Sequence, residues 1–380
     1  MVIILTTVQT HQMKYLKYYL TPILTGFVLW GIFLGGHWMW LGFVVLFFVM
    51  ILGDTFLGDD INQPDFHYPM LLEIPLHLAL PVIVILLLGF AWSTGKGLDD
   101  FLSLGLWLGG VTNYDLLSAR NGNIGSDYIG ALLGVGFLVA GYGTNVAHEL
   151  THRIKDRLAM FEGRWLLAAS CNSDFAIEHV YGHHVTVGTE ADPATAKRGE
   201  NVYAFAVRST FMGHLSAWHL ELKRLRTKSI RIFSFQNRMI TGYVMSAVWC
   251  AVFYIAGGLF GLILFLGQAA FAKFVLEIVN YMEHYGLYRS PESRVGPEHS
   301  WNTNKRISSI VLFSLTRHSA HHEKPMVKFW KLDPYNDAPQ MPYGYLTTLV
   351  LCLVPPVWYR IMNPRLVEWD RKYGNAQSLL

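Results

Sequence analysis

The chain has 380 residues, 52% hydrophobic and only 15% charged, with a formal net charge of +3. Soluble domains carry about a quarter charged residues, and the shortage here lies in long apolar stretches, which excludes a soluble globular domain and points to an all-α, polytopic membrane protein. The small positive charge gives no reason to invoke nucleic acid.

About twenty apolar residues suffice to cross the hydrocarbon core. On that measure six transmembrane helices are predicted, at residues 18–35, 38–58, 70–92, 126–147, 238–257 and 258–281. Residues 101–112 are apolar but short and glycine-rich, which suits a periplasmic-side or re-entrant helix. The last two spans are expected to form a hairpin around Gly257 and Gly258. A further apolar stretch, Leu346 to Met362, is interrupted by Pro355 and Pro356 and carries Trp358, Tyr359 and Arg360 near its end, which favours an interfacial or re-entrant helix over a span.

Basic residues set the orientation, because loops retained in the cytoplasm are enriched in Lys and Arg. Of the 30 Lys and Arg, 25 lie between Arg153 and Arg238 or between Arg289 and Lys372. With six spans these regions share one side with both termini, and that side is expected to be the cytoplasm. The first apolar stretch is too long for a cleavable signal and reads as the first span. The whole chain, residues 1–380, is expected to form a single membrane domain, with cytoplasmic segments at residues 148–237 and 282–380. Cys171, Cys250 and Cys352 are isolated, with no zinc or rubredoxin spacing and no disulfide framework.

Sixteen histidines in so apolar a chain need an account, since ionisable groups near a membrane are costly unless paired or functional. Nine fall in four tight groups. HELTH, at the end of the fourth span, places His148 and His152 four residues apart, on one helical face. Zinc proteases use the same spacing, but one zinc cannot use this many histidines. EHVYGHH supplies His179, His183 and His184; His179 and His183 repeat the helical spacing, and Gly182 leaves room for a distortion that turns His184 inward. His284 stands just past the last span, and RHSAHH supplies His318, His321 and His322. Nine imidazoles suit two metals, and imidazole serves iron, zinc, copper or nickel. Glu149, Glu178, Glu283 and Asp192 sit beside the clusters and are candidates to orient the rings through the second ring nitrogen, or else surface ion-pair partners. His11, His37, His67, His77, His214 and His219 read as structural or interfacial, and His299 is the one outlying histidine kept as a candidate neighbour of the site.

HELTHR, EHVYGHHVTVGTEADPATA, NYMEHYGL and LTRHSAHHEKP, with the HSWN segment, resemble the signature boxes of the membrane alkane 1-monooxygenases of the desaturase and hydroxylase superfamily. The likeness runs from the first span to about residue 369. It implies a non-haem di-iron centre, two Fe held by His148, His152, His179, His183, His184, His284, His318, His321 and His322, in a helical domain on the cytoplasmic side of a bacterial inner membrane. It also implies O2 as oxidant, an alkane hydroxylated at its end carbon, and electrons from NADH through a rubredoxin reductase and a rubredoxin. The chain departs from the family pattern in TEADPATA, in Glu298 of PEHSWN, and in an insertion over residues 100–124, which bears on substrate range more than on reaction type. An aromatic-methyl, xylene-type hydroxylase and a fatty-acyl desaturase are the enzymatic alternatives. A metal transporter is the rival from another class, although the chain shows no internal repeat.

The KRLRTKSIR stretch, residues 223–231, is expected to meet anionic headgroups or to steer an acidic electron carrier.

Overall fold

The computed structural model describes residues 13–373. Among the described residues regular structure is helical, apart from isolated bridges pairing Asp59 with Lys305 and Asn302 with Gln340. Four apolar helices come first: α1 (Met13–Leu34), α2 (Gly36–Phe56), α3 (Met70–Ser93) and α4 (Gly125–Thr151). Then come α5 (Arg157–Ala168), α6 (Val202–Thr227), the long α7 (Arg238–His284), and a final pair, α8 (Tyr345–Cys352) and α9 (Pro355–Tyr373). The starts of α5, α6 and α7 carry side-chain caps. Asp156, Asn201 and Asn237 accept from backbone N–H groups of the first turn that no helical carbonyl can reach.

The 47 residues of α7 are not one rod. In a straight helix Phe253 and Phe265 would stand roughly 18 Å apart, yet their ring centroids are 5.1 Å apart. The chain reverses at Gly257 and Gly258; Gly258 has φ +59°, a conformation that disfavours side chains. Thus α7 makes two passes. Its turn packs on Thr94, just beyond α3, while the α1–α2 turn meets Ala119. At the other end of the bundle Thr21 donates to the Val311 carbonyl at 2.9 Å, and Arg153 pairs with Glu73 at 2.6 Å.

The bundle is apolar outside as well as in its core. In the most apolar stretch of α2 only 28% of residues are buried, against 67% in α4, which runs through the centre of the bundle. Ile23, Trp30, Phe48, Ile85 and Ile263 point outward and exposed. So much exposed apolar surface suits lipid, and the 21 residues from Gly36 to Phe56 reach roughly 31 Å, about the thickness of a hydrocarbon core.

The segment at residues 101–112 forms a short helix followed by another at Leu116–Asn121. Arg120 is buried there and donates to the Trp92 and Gly97 carbonyls. α8 and α9 are bent by 118° about the Pro355–Pro356 region, so they do not form one straight crossing.

Candidate metal centre

Four elements carry the nine clustered histidines to one end of the bundle: the end of α4, the short helix after Asp174, the end of α7, and the helix His318–Glu323. They form two groups, within each of which the nearest ring nitrogens all lie within 4.8 Å of one another. One holds His148, His152, His179, His184 and His321; the other holds His183, His284, His318 and His322.

The division follows from local helix geometry. His148 and His152, four apart on α4, stay together, as do His318 and His322. At His179–His183 the helix widens into a π-turn, in which residues five apart are brought into line. His179 therefore partners His184, with Nε2 atoms 3.0 Å apart, and His183 swings to the other group. The His179 and His183 rings still stack at 5.1 Å, as their helical spacing implies, but they belong to different groups. Gly182 permits the turn, because a Cβ there would lie 2.7 Å from the Glu178 carboxylate. A second π-turn, Val139–Thr144, sits just before His148.

Further Nε2 pairs converge at 3.0 Å (His321 and His184), 3.1 Å (His318 and His284) and 2.9 Å (His322 and His318). His184 is part-buried and the other eight are buried. Burial, then the neighbouring imidazoles, push His321 and His322 well below the ordinary histidine range, and His152 down to about 4. A set of imidazoles facing one another, with both nitrogens of His148 and Nε2 of His152 and His183 lacking any hydrogen-bond partner, fits cations bound between them.

One of the expected ring-orienting residues bonds a ring, and a second lies beside one. Asp192 Oδ2 lies 2.9 Å from His183 Nδ1. The DPAT turn holds it there, through the Thr195 hydroxyl and the Ala194 N–H. Burial works against charge on both partners, but the pairing wins: His183 is raised and Asp192 lowered. Glu283 Oε1 lies 3.3 Å from His318 Nδ1 without a hydrogen bond to it, since the Tyr345 hydroxyl takes that oxygen.

The other three do not orient a ring. Glu149 is drawn away by Arg153, at 2.9 Å. Glu178 keeps one oxygen unpartnered beside Gly182, and burial pushes its carboxyl up to about 7. His299 Nδ1 instead accepts from the Gly296 N–H at 2.9 Å.

Among the outlying histidines, His77 pairs with Glu162 and His214 with Asp174, while His37, His67 and His219 are exposed. His11 lies outside the described residues.

Beside the histidines lies an apolar cavity, with Leu46, Phe47 and Met50 of α2, Phe137 of α4, Val275 of α7 and Leu349 of α8 in its wall. It reaches His148 and His179 of the first group and His318 of the second. The walls thus come from α2, α4, α7 and α8 together. Two wall residues carried no sequence signal. The Phe175 ring stacks on His179 at 4.5 Å, and the Tyr345 hydroxyl donates to Glu283.

Comparison with known proteins places the site in a family. Residues 128–351 match the family model described as fatty acid desaturase. An alkane 1-monooxygenase 2 of Pseudomonas aeruginosa is 34% identical over 342 residues, covering 87% of this chain and 84% of the relative. An alkane 1-monooxygenase 1 of the same species is 42% identical over 243 residues, 63% of each chain. The hydroxylase component of a xylene/toluene monooxygenase from Pseudomonas putida is 30% identical over 372 residues, 95% of this chain and 92% of the relative.

Proposed function

Because the chain belongs to the fatty acid desaturase family and, within it, to the alkane 1-monooxygenases, we propose that it is an integral-membrane di-iron monooxygenase that hydroxylates the terminal methyl of an alkane. The balance is RH + O2 + 2e⁻ + 2H⁺ → ROH + H2O. The observation that carries this reading is the apolar cavity that ends on imidazoles of both histidine groups.

His148, His152, His179, His184 and His321 would hold one iron, and His183, His284, His318 and His322 the other. A bound iron pair supplies the redox chemistry that activates dioxygen. The protein's own contributions are separate. Asp192 fixes the ring of His183 through Nδ1, leaving its Nε2 free to face inward, and Glu283, held by the Tyr345 hydroxyl, stands beside His318. The cavity takes a linear apolar chain end-on, through dispersion contacts and the exclusion of water. Phe137, with Phe271 at 5.1 Å and Phe43 at 5.8 Å, forms an aromatic cluster roughly 16 Å along α4 from His148. A chain lying between them presents its last carbon to the histidines.

We assign the electrons to a rubredoxin, reduced in turn by an NADH-dependent reductase. The excess of Lys and Arg at the histidine end supports a cytoplasmic location for that end, in a bacterial inner membrane.

The purified chain should hold close to two irons. His183→Ala and His322→Ala should each abolish turnover while membrane insertion persists; retained iron and activity in both would overturn the ligand assignment. A second reading, hydroxylation of an aromatic methyl, is favoured by the similarity to the xylene/toluene relative over 92% of its length. Product analysis on octane, hexadecane, xylene and a fatty acid, with reduced rubredoxin supplied, separates the two. Primary alkanols from the alkanes support the first reading, and turnover of xylene alone supports the second. An alkene formed only from the acyl chain contradicts both.

A further inference from the structure

α6 has 26 residues, about 39 Å of helix. Its inner face buries Val202, Phe205, Ala206, Ala217 and Leu225. The outer face is graded. Tyr203, Val207, Phe211 and Leu215, stepping by four residues, are 50%, 61%, 68% and 51% exposed. His219, Lys223 and Arg226 continue the exposed row, which winds around the helix toward its end. The loop that follows exposes Phe233 by 90% and Phe235 by 86%. Such large rings gain nothing from water, so this surface requires an apolar partner.

The charges beside it are also unpartnered. Buried Glu221 takes up Arg224 at 2.6 Å and Arg238 at 2.7 Å, which pins the corner between α6 and α7. Lys223, Arg226, Lys228 and Arg231 form no ion pair among the described residues. Four free cations thus stand next to two exposed phenylalanines.

The location decides between partners. Phe233 and Phe235 immediately precede Arg238, where the first pass of α7 begins. α6 also runs across the two passes of α7 near the histidine end, with Trp218 donating to the Tyr243 hydroxyl of the first pass at 2.7 Å and Tyr203 stacked on Phe274 of the second at 6.2 Å. The exposed Tyr243, Val244 and Val248 of α7 carry the apolar surface onward onto the lipid-facing side of the bundle. An acidic protein docking on the cations would leave these rings and the stripe on α6 in water. A lipid surface satisfies both.

We propose that α6 and the loop to α7 lie in the plane of the membrane as an anchor for anionic lipid. The stripe and the two phenylalanine rings enter the boundary between headgroups and acyl chains, and Lys223, Arg226, Lys228 and Arg231 bind headgroup phosphates.

The test uses the full chain with Phe233→Cys, in a background of Cys171→Ser and Cys250→Ser, labelled with an environment-sensitive fluorophore. The protein is reconstituted in phosphatidylcholine alone or mixed with phosphatidylglycerol, each with a lipid carrying a nitroxide near the headgroup. Blue-shifted, nitroxide-quenched emission is expected, stronger with phosphatidylglycerol. That extra effect should be lost in high salt and in the K223Q/R226Q/K228Q/R231Q variant, with metal content unchanged as the check on folding. Emission that reports water in both lipids would overturn the proposal, as would shielding that arises only when an acidic electron-carrier protein is added.

Discussion

His183 is where the two histidine groups part, and it shows how far side-chain spacing alone can be read. All nine clustered histidines are visible as HELTH, EHVYGHH, NYMEHYGL and RHSAHH. Their division is not, because a reading at four-residue steps assumes an unbroken α-helix, and the π-turn at His179–His183 moves the partner of His179 one residue on, to His184. Carboxylates are harder still to read. Glu149 stands between two histidines in sequence but is tied to Arg153, whereas Asp192, eight residues beyond His184, is the one aimed at His183. Asp192→Asn is therefore expected to lower metal affinity or turnover roughly 10–100-fold. His299→Gln, whose ring joins neither group, should leave metal content unchanged. Metal analysis of the two purified variants checks both outcomes.

The apolar helices were legible because twenty apolar residues have few other uses, and the reversal of α7 was legible in the Gly257–Gly258 pair. What sequence could not reveal is how remote elements reach the site. α8 is brought in by a buried polar contact: Asp54 of α2 accepts from the Ser308 backbone N–H at 2.9 Å, and Ser308 Oγ accepts from the Tyr345 N–H at 3.0 Å. No local motif foretells a contact between residues so far apart in the chain. The corner between α6 and α7 rests on Glu221, whose two arginines hold its carboxyl down to about 2 despite its burial. A folded-state value below the ordinary carboxylate range near 4.5 means that this stabilisation is fully present above that range and is lost as pH falls toward 2. Glu221→Gln should cost about 1–3 kcal/mol of stability at neutral pH, below the figure for a fully buried pair because each arginine side chain keeps 23% exposure. The difference from the parent should shrink across that acidic window, as thermal unfolding at a series of pH values would show.

For the molecule as a whole, hydropathy and the Lys/Arg bias foretell a helical bundle with its histidines at one end, but not the shape of the space inside it. Phe137, Leu349 and Tyr345 line one cavity only because α4 and α8 pack together through α7. If the Phe137 cluster closes the far end of that cavity, Phe137→Ala should extend the range of alkanes accepted toward longer chains while leaving metal content intact, as product analysis across a chain-length series would show. The central claim is that one apolar cavity ends on two irons. Its most direct test is anomalous scattering at the iron edge from crystals of the purified, alkane-bound chain. Two iron peaks are expected, one within each histidine group, with the alkane in the cavity and its end carbon toward them. A single metal, a pair that is not iron, or an alkane bound elsewhere would contradict the account.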